Sequence, residues 1–102
     1  MERSIGDRRW QLARDAIVWR EWDGEAIVYD ERSGATHRLG AGPTLLFKAL
    51  AAAPTSLSMR MLLDVVSSAL TVTDEARVGL VEVAIQSLED SGLVVVAEPL
   101  DR

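Results

Sequence analysis

Cysteine is absent from the 102 residues, which excludes disulfides, zinc–thiolate sites, iron–sulfur clusters and cysteine nucleophiles. Histidine occurs once, at His37, and no motif spacing supplies it with catalytic or metal-binding partners. No stretch approaches the roughly 20 apolar residues of a membrane span. Arg3, Arg8, Arg9 and Arg14 lie near the start, but no apolar segment follows them as in a secretory signal. The expected location is therefore the cytoplasm, with no membrane partner. No P-loop, dinucleotide fingerprint or G-x-S-x-G sequence is present. The chain reads as non-catalytic, with no cofactor and no metal expected.

What is there is globular: 48% hydrophobic and 26% charged residues, enough for one domain. The net charge of −5 is unevenly spread. Residues 1–40 hold seven Arg against eight acids, whereas residues 41–102 hold Lys48, Arg60, Arg77 and Arg102 against eight acids. The second half is the acidic one, a poor surface for phosphates.

Residues 1–14 read as a polar, Arg-rich arm that either docks through Trp10 or frays. From Ile17 the period becomes two. Ile17–Trp22 and Glu25–Asp30 are rich in β-branched and aromatic residues, and Asp23-Gly24 between them suits a type I′ hairpin turn. That register sets Trp19 opposite Val28 and Val18 opposite Tyr29. One face then carries Ile17, Trp19, Ala26 and Val28, the other Val18, Trp22, Ile27 and Tyr29. Both are partly apolar, so helices are expected on one face and the arm or a partner on the other. A second turn at Glu31–Gly34 leads to a third strand, Ala35–Leu39, completing an antiparallel meander.

After Gly40 the period is helical. Pro43 suits a first turn, and Leu45, Leu46, Ala49 and Leu50 form a stripe ending before Pro54. Ser58 is the expected N-cap of a second helix whose buried face is Leu62, Leu63, Val66 and Leu70. Thr73 caps a third, with Asp74 and Glu75 in its first turn and Val78, Val81, Ile85 and Leu88 as its core stripe. Gly92 stops it, and Leu93–Val96 reads as a closing strand. The expected fold is α+β: a three-stranded antiparallel sheet, three helices and a short extended segment. The domain is placed at 15–97, with a tail at 98–102.

Several residues invite two readings. His37 takes a structural or peptide-contact role, and Thr36 and Arg38 alternate with it, leaving one side of its strand polar. Trp19 and Trp22 point to opposite faces: one is core, and the other is covered by the arm or lines a partner surface. Arg77, Leu80 and Ala84 make an i, i+3, i+7 row beside the core stripe. That row is either the margin of a wide core face or the wall of a groove for an added peptide strand.

The segments Trp19-Arg20-Glu21-Trp22-Asp23-Gly24-Glu25, Val28-Tyr29, Ser33-Gly34, Thr36-His37 and Leu39 resemble the PqqD-like family. The nearest variant is the one associated with HPr-kinase-related proteins. Ala53–Leu57 and Leu88–Val94 fit the same pattern, and the likeness covers roughly residues 10–96. Gly40 departs from it, standing where the family commonly has Asp or Asn, so the first helix loses a side-chain cap. The resemblance implies a winged helix-turn-helix RiPP recognition element. Such a domain binds the leader of a ribosomally made precursor peptide as an added strand and presents it to a modifying enzyme or HPr-kinase-related partner. By position, Thr36, His37, Arg38 and Leu39 on the strand and Arg77, Leu80 and Ala84 on the helix would contact the peptide.

Two other functions fit a fold of this kind. A DNA-binding winged helix would insert the third helix, but there Arg77 is opposed by Asp74, Glu75, Glu82, Glu89 and Asp90, so nucleic acid is not an expected partner. A structural homodimer joined through a sheet edge is the other.

Overall fold

The computed structural model describes residues 8–13 and 17–97. Strands β2 (Ile17–Trp22), β3 (Glu25–Asp30) and β4 (Ala35–Leu39) form an antiparallel sheet in that order. Asp23 and Gly24 take φ of 56° and 81°, both left-handed as a type I′ turn demands. The turn fixes the expected register, with Trp19 opposite Val28 and Val18 opposite Tyr29. At the second turn, the buried Asp30 accepts hydrogen bonds from the Arg32 amide at its carboxylate (3.0 Å) and from the Gly34 amide at its carbonyl (2.8 Å).

Three helices follow: α1 (Ala41–Ala52), α2 (Met59–Ala69) and α3 (Asp74–Asp90). The Ser58 and Thr73 hydroxyls cap α2 and α3, accepting from the Met61 and Ala76 amides. Gly40 gives α1 no side-chain cap. The start of α1 is held instead by the buried Thr44, whose hydroxyl donates to the Leu39 carbonyl at 3.2 Å. At the end of α3 the Gly92 amide bonds the Glu89 carbonyl and the Leu93 amide that of Leu88. This is a Schellman stop with Gly92 at φ 82°, and its two leucines are both fully buried.

Of the two readings of the arm, docking through Trp10 or fraying, residues 9–12 take the first. They form strand β1 (Arg9–Leu12), central in a second sheet between β5 (Leu57–Ser58) and β6 (Val94–Ala97). Trp10 is 2% exposed, and its indole N–H donates to Glu89 Oε2 at 2.6 Å. Arg9 clamps Ser56 through Nε and Nη2, each at 2.8 Å. The docking alternative is the one realised, within the fold and not on the meander. The remainder of the expected arm, residues 1–7 and 14, and the tail 98–102 lie outside the described residues.

The core joins both sheets to the helices through Trp10, Val28, Leu46, Phe47, Leu62, Val81, Leu88 and Leu93. Phe47 meets Trp19 edge-on, ring centres 5.2 Å apart, a favoured aromatic geometry. Leu70 and Val78, expected in core stripes, are exposed. Leu70 is the extended C-cap of α2, and Val78 lies in the early part of α3, before the helix becomes buried at Val81. Among the described residues no helix is long and apolar enough to cross a membrane.

Candidate functional site

Antiparallel pairing places directly opposed residues on one face. His37 lies opposite Val28 and Leu39 opposite Ala26, so both point toward the helices, His37 half-buried and Leu39 buried. Thr36 and Arg38 lie opposite Tyr29 and Ile27 and are exposed on the outer face. None of Thr36, His37 and Arg38 has a side-chain hydrogen bond or ion pair among the described residues. β4 pairs only with β3 among those residues, leaving its other edge unpaired. Backbone N–H and C=O groups on such an edge can accept another strand.

The helical half of the expected site divides. Ala84 is 2% exposed and belongs to the core, whereas Leu80 is half-buried at its margin. Both converge on Gly42: a Cβ there would stand 3.7 Å from Leu80 Cδ2 and 4.0 Å from Ala84 Cβ. Leu80 and Ala84 thus meet the chain just after Leu39, where β4 passes into α1. Arg77 is turned toward its own helix start. Its Nη1 pairs with Asp74 at 2.9 Å, its Nη2 reaches the Val72 carbonyl at 3.5 Å, and its buried Nε has no partner. No hydrogen bond or salt bridge among the described residues links β4 to α3.

Two further surfaces stand out, one expected from sequence to carry the arm or a partner and one not foreseen. Val18, Trp22 and Tyr29 are 55%, 51% and 42% exposed on the outer face of the meander. Together with Ile27 they line a depression of about 380 Å³. β1 was expected as a possible cover for this face and lies instead in the other sheet. The alternation signalled the face; that β1 does not cover it could not be read. The second surface is a cleft of about 290 Å³ between the β2–β3 turn, α1 and the α2–α3 connection, which Leu80 also lines. Its residues come from four parts of the chain and share no sequence pattern. Among the described residues no group of three or more His, Asp or Glu side chains could hold a metal ion.

No protein-family model matches the sequence, and no curated protein matches it. Among solved structures, the chain is similar to one described as TbiB1 in complex with the TbiA(beta) leader peptide. The TM-score is 0.66 at 15% sequence identity, over 89% of this chain and 99% of that one. The likeness bears out the α+β architecture of three antiparallel strands followed by helices, a winged-helix-like fold.

Proposed function

We propose that this chain is a non-catalytic chaperone of the PqqD-like kind, acting in the cytoplasm. It takes up the leader of a ribosomally made precursor peptide as a strand added to β4 and presents it to a modifying enzyme or HPr-kinase-related partner. The observation that carries this reading is the free edge of β4, on a sheet whose inner face is already covered by α1. Main-chain hydrogen bonds along such an edge give affinity, and side chains beside it give selectivity. Thr36 and Arg38 would meet alternate residues of the peptide on the outer side, and His37 and Leu39 those on the inner. Leu80 would bound the helical side with Arg77 before it, and Ala84 would support that wall from the core. TbiB1, which shares the fold, carries a leader peptide.

The competing DNA-binding reading is opposed by the exposed flank of α3, where Glu82, Gln86 and Asp90 surround Val83. That surface repels phosphate. The test is to titrate isotope-labelled protein with synthetic N-terminal segments of small peptides encoded beside the gene. Amide shifts concentrated at residues 36–39 and 77–84 are expected. Salt-sensitive DNA binding with no peptide-induced shifts there would refute the reading. Concentration-dependent shifts without ligand would favour the homodimer.

A further inference from the structure

The outer face of the meander is built from three cross-strand rows: Val18 with Tyr29 and Thr36, Arg20 with Ile27 and Arg38, and Trp22 with Glu25. Arg20 and Arg38 stand one strand to either side of Ile27 and are exposed. Neither has a hydrogen bond or ion pair among the described residues. Two strand spacings set their Cα atoms about 10 Å apart. The face is therefore apolar with a pair of free cations, in a chain whose net charge is −5. The complementary pattern lies on the exposed flank of α3. Val83 is 73% exposed there, more than any other large apolar side chain among the described residues. Glu82 and Asp90 lie on the same flank, and eight residues of helix set their Cα atoms about 12 Å apart. Gln86 Nε2 donates to Asp90 Oδ1 at 2.9 Å, while Glu82 has no hydrogen bond or ion pair among the described residues. An apolar side chain beside two carboxylates thus matches an apolar row between two arginines, and the small difference in spacing is within the reach of the flexible arginine stem. Both patches are exposed, so they do not cover each other within one molecule.

We propose that the outer face of the meander takes the α3 flank of a second copy of this chain. Val83 enters the depression bordered by Val18, Trp22, Ile27 and Tyr29, and Glu82 and Asp90 meet Arg20 and Arg38. The contact is head-to-tail, because each molecule offers one patch to one neighbour and the other patch to the next. Three strands of about five residues give a footprint of roughly 250 Å², well below the roughly 800 Å² that each partner buries in a stable interface. The association is therefore weak, reversible and sensitive to salt, which screens exposed charge pairs. It uses no main-chain group of the β4 edge, so it goes beyond the strand-addition reading and neither stands or falls with the other.

Sedimentation velocity of the peptide-free protein tests it, from about 0.02 to about 1 mM, the range a small interface calls for. The mean mass should rise above the monomer with concentration at about 20 mM salt, and the association constant should fall about tenfold or more at about 500 mM. Amide shifts that follow concentration should gather at residues 18–29, 38 and 82–90. Two variants divide the contact: Arg20→Ser with Arg38→Ser removes the cations of the sheet, and Val83→Lys sets a like charge against them. All three sites are exposed, so folding should persist, checked by circular dichroism. Each variant alone should stay monomeric. Mixed, they should form a one-to-one pair, because the first keeps the native α3 flank and the second the native sheet face. A native chain that is monomeric at about 1 mM in low salt would overturn the proposal. So would association that survives in Val83→Lys, which would point to pairing of two sheet faces or two sheet edges. Variants that fail to associate when mixed would overturn it as well.

Discussion

Replacing Trp10 by alanine should be among the most destabilising single changes in this chain. Trp10 is 2% exposed, and a tryptophan buries some 150–250 Å². At about 25 cal/mol per Å² the whole side chain contributes roughly 4–6 kcal/mol. A compact unfolded chain and the retained methyl group lower this to about 3–5 kcal/mol, the usual range for such truncations. The indole N–H bond to Glu89, at 2.6 Å, adds to the low side of the 1.5–3 kcal/mol typical of charge-assisted bonds. Glu89 is only half-buried and can turn to water once the indole is gone. Against a total of about 5–15 kcal/mol for a domain this size, that is a large fraction of the stability. Trp10→Phe keeps much of the packing and loses the donor, so about 1–2 kcal/mol is expected. Combining it with Glu89→Gln in a double-mutant cycle should show coupling of about 0.5–1 kcal/mol. Urea unfolding followed by far-ultraviolet circular dichroism measures each variant. A cost below about 1 kcal/mol for Trp10→Ala would refute the placement of β1 in the cooperative core.

Trp22 supplies the opposite case. It is 51% exposed with no cover among the described residues, so Trp22→Ser should cost less than about 1 kcal/mol in the same assay. Gly24→Ala should destabilise by about 1 kcal/mol through backbone strain alone, since φ is 81° and an added Cβ meets nothing within 4 Å. Gly42→Ala, whose Cβ would make ordinary contact with Leu80 and Ala84, should be neutral or raise stability by up to about 1 kcal/mol in thermal melts. Thr44→Val removes the hydroxyl that satisfies the Leu39 carbonyl in a buried setting. A loss of about 1–2 kcal/mol by urea unfolding is expected.

Features with a local cause were legible. Asp23-Gly24 dictates its own turn and with it the pairing of β2 with β3; Ser58, Thr73 and Gly92 mark helix ends because each satisfies a neighbouring backbone group. Features whose cause lies far away were not. Arg9-Trp10-Gln11-Leu12 has weak strand character, and its partners sit at Ser58 and at Ala97, distant in the chain. The two-residue β5 exists only because β1 lies beside it. Likewise the row Arg77, Leu80, Ala84 could be placed on one side of α3. Which members are buried depends on how α3 packs against α1 beside Gly42, with Ala84 in the core and Leu80 at its margin.

The residues of the β4 edge are contiguous in the sequence, but what lies beside them is not. A free edge is defined by what does not pair with it, and so depends on every other strand. Nothing in the pattern of Arg9-Trp10-Gln11-Leu12 says which strand it lies beside. Three interactions hold β1 in place: the Trp10 bond to Glu89, the Arg9 clamp on Ser56, and four residue pairs with β6. Among the described residues, β1 pairs in the other sheet and the outer edge of β4 has no partner. It follows that weakening the Trp10 anchor should release β1 as a competitor for that edge. Arg9→Ala with Trp10→Phe, kept below the unfolding threshold, should weaken peptide binding even though neither residue lies on β4. Unchanged peptide affinity in a folded double variant with β1 shown by hydrogen exchange to be detached would refute this coupling.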